Sequence, residues 1–399
     1  MSDLLAEVEL QKQVQPSSNR SPIRWVRENL FNSWLNTVLT ILSLALILYI
    51  VTNTGKWILF SADWSVISKN FKLLTVGQYP QEQLWRVWMP MTILSLLLGA
   101  SWGTWKGPLK QVCFTIGSLM IIIALLPFIS MMTRVWLVAN VLAMVAGFLI
   151  TRNTLKLKVA TIIGWVVLFP LTIVLLSGMG ILSPVSTRVW GGFLLTILIS
   201  VVAIVCSFPI GVLLALGRRS SLPIVKWFSI AYIELIRAVP LITIIYVSQF
   251  ILPIFLGRGI ELDAVLRVMI GFTAFAAAYI AENVRGGLQS IPRGQFEAGK
   301  ALGLNAFHRT FFIILPQALR VVIPANVGLF IGIFKDTVLV TIVGLSDLLG
   351  IGQKIYANPQ FLGKEMEVLI FIAFVFFIFC YLMSYVSRRL ESSLGVGQR

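Results

Sequence analysis

Ten stretches of mostly apolar residues, at about 34–52, 86–101, 112–130, 135–151, 159–178, 191–216, 226–256, 265–284, 318–334 and 366–387, dominate this chain. A helix needs about 20 such residues to cross the hydrocarbon of a bilayer. The pattern therefore predicts an all-α integral membrane protein with about ten transmembrane helices. Composition agrees, with 58% hydrophobic and 12% charged residues, against about 25% charged in soluble domains. Most cytosolic enzyme classes are excluded on that ground. The net charge of +16 would suggest nucleic acid in a soluble protein. Here the cations fall in short loops between apolar runs, as the positive-inside rule describes, so no nucleic-acid partner is expected.

That rule also sets an orientation. Arg20, Arg24, Arg27, Lys106, Lys110, Arg152, Lys156, Lys158, Arg218, Arg219, Lys226, Arg285, Arg293, Lys300, Arg309, Arg388 and Arg389 occupy tails and loops that alternate onto one side. Both termini are then expected in the cytoplasm, with residues 1–33 and 393–399 as tails and no cleavable signal peptide. Cys113, Cys206 and Cys380 lie in separate apolar runs and His308 is the single histidine. No disulfide framework or metal site is expected from them. Between residues 53 and 85, Trp64, Ile67, Phe71 and Leu74 recur at helical spacing. They fit either an interfacial helix on the outer surface or an ordinary packed loop helix.

The chain changes character near residue 185. The first half, 34–184, carries few intramembrane charges and has Trp85, Trp88, Trp102, Trp105 and Trp136 at span ends, where tryptophan anchors to the interface. The second half, 185–392, holds charges within its spans and one long inside loop. That loop contains Gly294-x4-Gly299-Lys300, close to a phosphate-binding loop, but Ala301 stands where the Mg²⁺-binding hydroxyl would be. No ATP site is expected. Glu297 to Gly303 reads instead as a short helix, opening near Gly294-Gln295 and stopped by Gly303. Ala298, Gly299 and Ala301 give it a small face, and Pro316 is expected to interrupt the next helix. Shape alone leaves two readings open: a docking element, or a loop helix without a partner.

Further motifs decide between them. Glu297-Ala298-Gly299-x3-Gly303-x9-Ile313-x-Leu315-Pro316 resembles the EAA loop of ABC-importer permeases, with Gly299 where that family usually has Ala. Tyr232-x-Glu234-x2-Arg237-x2-Pro240, Ala278-Tyr279-x-Ala281-Glu282-x2-Arg285, Gln317-Ala318-Leu319-Arg320-x3-Pro324-x-Asn326 and Lys335-Asp336-Thr337-x-Leu339 resemble the polar amino acid subfamily. The likeness covers about 185–392, and the extra first half is similar to the long permeases of general amino acid systems.

The resemblance implies a five-helix type I importer core and a coupling loop at about 286–316. Glu297, Ala298, Gly299, Ala301, Leu302, Gly303 and Leu304 would meet a cytoplasmic ATPase dimer. It implies further partners: a second, different permease, an extracytoplasmic amino-acid-binding protein, membrane lipid and an amino-acid substrate, in a bacterial inner membrane. The chain itself would be no enzyme; ATP and Mg²⁺ would sit on the ATPase.

Charges inside spans default to function. Glu234 and Arg237, three apart, are expected to pair with each other, to contact a loop of the same subunit, or to line the path, some 12–17 Å along the helix from Lys226 at about 1.5 Å per residue. Glu282 and Arg285 repeat the spacing as a clasp. Asn326, Lys335, Asp336 and Thr337 are further candidates for the path. A secondary transporter or channel would require inverted repeats, which the dissimilar halves do not provide. A membrane enzyme would require clustered acids or histidines that the chain lacks.

Overall fold

The computed structural model describes residues 22–107, 109–154, 157–257 and 262–395. The expectations for residues 1–21, Lys156 and the last four residues fall outside that range. The described residues are nearly all helical, with two isolated β-bridges and no strand.

Residues up to Asp63 form one unit and Trp64 onward a second. In the first, α1 (Pro22–Leu30) precedes α2 (Trp34–Lys56). Ser33 caps α2 by accepting from the Asn36 amide, and Thr40 Oγ1 donates to the Leu30 carbonyl at 2.9 Å. No residue of α2 is buried, as suits a helix that is apolar on every side.

The second unit opens with α3 (Ser65–Val76). Of the predicted stripe, Ile67 and Leu74 are buried, together with Val66, against Leu348, Ile351 and Val368. The helix is thus packed into protein rather than lying on a lipid surface. It seats on the start of the eighth helix: Gly192 has φ +62°, and a Cβ there would come within 2.4 Å of the Leu74 carbonyl.

Four helices follow: α4 (Trp85–Trp105), α5 (Leu109–Leu125), α6 (Met131–Thr151) and α7 (Leu157–Ser177). Small residues let α4 and α6 touch backbone to backbone. A Cβ on Gly99 would fall 1.8 Å from the Met144 carbonyl oxygen, and one on Gly147 2.1 Å from that of Leu96. Polar side chains between these helices find partners: Ser95 donates to Asn140 at 3.0 Å, and the Trp165 indole to Ser101 at 2.9 Å. At the far end, buried Arg86 donates to the carbonyl and hydroxyl of Ser183, both at 2.7 Å. Tyr79 donates to the Leu176 carbonyl at 2.9 Å.

The remaining helices are α8 (Gly192–Gly217), α9 (Pro223–Arg237), α10 (Leu241–Tyr246), α11 (Leu252–Leu256), α12 (Ala264–Ser290), α13 (Arg293–Ala301), α14 (Ala306–His308), α15 (Leu315–Val321), α16 (Ile323–Asp336), α17 (Leu348–Tyr356) and α18 (Glu365–Leu394). Three expectations change here. The run 226–256 is not one helix: α9 meets the segment Leu241–Leu256 at 109°. Pro240 lacks an N–H and disfavours helix at the residue before it. The span expected to end near 284 continues to Ser290, so the inside loop starts later than 286. Pro316 does not end a helix: the chain widens into a π turn over Arg309–Ile314, then continues as α15. That wider turn absorbs the missing N–H, and the break falls at Val322–Ile323, where Pro324 opens α16.

Eight described helices are long and apolar enough to cross a membrane. The sequence count of about ten is reached when the 17-residue α5 and the bent pair are added.

Candidate coupling helix and charged cluster

Helix α13 starts at Arg293, one residue before Gly294, and stops where expected. Its end is a Schellman motif: the Leu304 amide donates to Gly299 at 3.1 Å and the Gly303 amide to Lys300 at 2.9 Å. Gly303 has φ +73° and open space around it, so glycine is needed there for backbone conformation rather than for room. Arg219 lies over the Phe296 ring at 5.6 Å, and Gln317 donates to Gln295 at 3.3 Å. These contacts fix α13 to the loop after α8 and to the start of α15.

The small face divides in two. Gly299 is buried, and a Cβ there would press on Arg309 at 3.1 Å. Glu297, Ala298, Ala301, Leu302 and Gly303 are exposed. Leu302 is 77% and Phe312 69% exposed, which leaves an apolar surface beside α13 with no partner in this chain.

Residues from α8, α9 and α12 assemble a charged cluster at the same end. Arg218 donates to Glu234 at 2.8 Å, and Arg285 to Glu282 at 2.5 and 2.9 Å. Arg237 reaches Glu282 at 3.4 Å and Arg218 does so at 3.8 Å. Three guanidinium groups therefore converge on the Glu282 carboxylate.

The clasp of Glu282 with Arg285 is present. Glu234 and Arg237 do not pair with each other: Glu234 contacts Arg218 in the loop after α8, the other structural option, and Arg237 turns to Glu282. Tyr232, on the same helix as Glu234, donates to the Ala274 carbonyl midway along α12 at 2.8 Å. Arg237 packs over Tyr279 at 5.7 Å, and its Nε is buried without an acceptor among the described residues. Sequence reasoning left out Arg218 because it reads as an ordinary loop cation.

The other candidates lie apart. Asn326 is buried and accepts from Asn283 at 2.9 Å, and Thr337 is fully buried, donating to the Phe334 carbonyl at 2.8 Å. Both side chains hold helices in place. Lys335 is exposed and Asp336 half-buried at the far end of α16.

The description "binding-protein-dependent transport system inner membrane component" matches residues 207–396, a stretch that includes α12, α13 and all of the charged cluster. Over nearly the whole chain the likeness is closer in kind. The chain is 34% identical to the inner membrane amino-acid ABC transporter permease protein YhdY of Escherichia coli K12, covering 99% of each. It is 38% identical to the glutamate/glutamine/aspartate/asparagine transport system permease protein BztC of Rhodobacter capsulatus, covering 95% of each.

The chain belongs to the amino-acid ABC transporter permeases.

It is a long form of that family. The probable glutamine permease GlnP of Bacillus subtilis aligns 91% of its own length with 51% of this chain, at 33% identity. A solved amino acid ABC transporter is similar over 51% of this chain and 92% of its own, at 27% identity and a TM-score of 0.46. As a permease subunit the chain is a multi-pass membrane protein that moves amino acids, not a freely diffusing enzyme.

Proposed function

We propose that α13 is the element through which a cytoplasmic ATPase drives this permease. The observation that carries the reading is its exposed face of Glu297, Ala298, Ala301 and Leu302, closed by the Gly303–Leu304 stop and braced from behind by Arg219, Arg309 and Gln317. Gly299 serves from the inside, bringing Arg309 close. In this reading two ATPase subunits, which bind ATP and Mg²⁺, dock on the α13 side, and both termini face the same cytoplasm. A substrate-binding protein delivers a polar amino acid from the other side of a bacterial inner membrane, and a second, different permease completes the pathway.

Arg237 and Glu234 line the inner part of that path, with Lys335 and Asp336 at its outer end. The Nε of Arg237, buried and without an acceptor among the described residues, is a donor for a substrate carboxylate once the path opens onto it. A cysteine at Ala298 or Leu302 should cross-link to the ATPase in the assembled transporter, and one at Gly299 should not. Cross-linking at Gly299 but not at Ala298 would turn the helix over and remove this assignment. Labelling of a cysteine at Gln295 by an impermeant reagent added outside intact cells would reverse the sidedness.

A further inference from the structure

The first half of the chain has no assigned task, and its charge distribution is lopsided. Residues 83–233 hold eleven Lys and Arg and no Asp or Glu. Four of these cations, Lys106, Lys110, Arg152 and Lys158, stand exposed where α4 ends, α5 begins, α6 ends and α7 begins. The four ends are neighbours. A Cβ on Gly103 would lie 3.0 Å from the Arg152 amide nitrogen. Leu157 and Thr151 line one cavity of about 160 Å³ between α4, α6 and α7. Trp102 stacks on Phe148 at 4.0 Å and meets Phe114 at 5.6 Å, and Lys110 sits over Phe114 at 5.9 Å.

The last helix brings two more cations to the same place. Tyr385 of α18 donates to Gln111, next to Lys110, at 3.4 Å, and Arg389 lies over the Tyr385 ring at 5.4 Å. Arg388 is exposed beside it. Among the described residues none of the six is in an ion pair. The acid on this stretch of α18, Glu391, accepts from Ser387 at 2.6 Å. Above the cations, Tyr381 and Phe377 continue from Tyr385 at intervals of one turn, stacked at 6.1 Å and more than half exposed.

We propose that this is a binding site for an anionic phospholipid. The headgroup phosphate lies between Lys110 and Arg389, with Lys106, Arg152, Lys158 and Arg388 supplying the surrounding field. One acyl chain runs along Phe114, Tyr381 and Phe377. Unpaired cations at the end of a bilayer-crossing bundle face headgroups, and basic pockets between spans select the negatively charged ones. Orientation by the positive-inside rule needs cations in loops. It does not need Arg389, lying over a tyrosine that bonds to the neighbour of Lys110, 279 positions from that lysine and below an apolar stripe. The leaflet is the one on the α13 side, so the location rests on the proposed function, while the site itself does not.

The test is lipid selectivity of the purified transporter complex, measured with spin-labelled cardiolipin against spin-labelled phosphatidylcholine. Wild type should prefer cardiolipin, and the preference should fall with added salt. K110Q/R389Q should lose roughly 30-fold in relative affinity, on the usual contribution of two cations near a lipid surface. K110R/R389K and the far-side variant R188Q should keep the preference. Unchanged selectivity in K110Q/R389Q, an equal loss in R188Q, insensitivity to salt, or displacement by millimolar inorganic phosphate would each overturn the proposal. No readout needs ATP or substrate, so this site and the coupling role of α13 stand or fall separately.

Discussion

Gly303→Val tests the helix stop through the backbone alone. Nothing lies within 4 Å of a Cβ at this position, so the substitution meets no clash inside the chain. What it meets is φ +73°, where a Cβ costs about 1–2 kcal/mol, and β-branching narrows the side chain's choices further. The chain can relieve this by leaving the left-handed region. It then gives up the bonds from Leu304 to Gly299 and from Gly303 to Lys300, each worth about 0.5–1.5 kcal/mol. The strained route costs no more than losing both bonds, so the docking-competent end of α13 loses about 1–2 kcal/mol, a 5- to 30-fold fall in its population. Gly303→Ala should lose less. Gly286→Ala, in α12 with open space and an ordinary helical backbone, should be neutral or slightly stabilising. The assay is ATPase retained per permease after purification, with substrate-stimulated hydrolysis in liposomes. If Gly303→Val retains the ATPase and its stimulated hydrolysis as wild type does, α13 does not couple through this stop.

Glu282→Gln should lower thermal stability by about 1–2 kcal/mol, because three guanidinium groups lose a shared, mostly covered partner. Glu234→Gln, at an exposed single pair, should cost below about 1 kcal/mol. Arg237→Ala should reduce uptake while the complex still assembles; recovery of uptake in Glu282→Gln/Arg237→Gln would show that Arg237 acts only as a structural partner. Gly147→Leu should separate α4 from α6 and cost at least the roughly 1–3 kcal/mol of core overpacking, whereas Gly117→Ala, which has open space, should be tolerated; melting of the purified complex distinguishes them.

Asp347 caps α17, accepting from the Gly350 amide at 2.9 Å and Thr341 at 3.0 Å, while its other oxygen is buried without a partner. Burial pushes its pKa up. Its stabilising contribution is therefore complete below the ordinary Asp value of about 3.9 and fades as pH rises through the higher native value. Asp347→Asn should raise the melting temperature at pH 7 and lose that advantage in acid; equal melting at pH 7 would show that the buried charge has little cost.

The helical membrane fold and the stop at Gly303 were legible because each has a local cause. Apolar length dictates a crossing, and a glycine after small residues and helix formers dictates an end. The bend at Pro240 carried a local signal too, but the apolar residues on both sides of it read as one span. Pairing among charges was not legible. Helical spacing brings Glu282 to Arg285 correctly, yet the same spacing suggests Glu234 with Arg237. There the winning partners, Arg218 and Glu282, come from other helices whose placement depends on the bend. The direction of Gly299 was hidden for a similar reason: a run of small residues does not say which of them another part of the chain will cover. Asn326 was a candidate for the path as a polar residue within a span, and only the fold reveals Asn283 opposite it.

The seating of α3 has a consequence for anyone shortening this protein. A cut at residue 185 would match the length of the shorter relatives. It would also strip Val66, Ile67 and Leu74 from Leu348, Ile351 and Val368, and remove the contact that holds Gly77 against Trp190. The fragment would begin with a raw apolar scar beside the helix that Asp347 caps. A cut just before Trp64 follows the natural seam between the two units and leaves that surface covered. The extra helices are thus not a detachable prefix: their first short helix serves as a lid on the back of the transport core.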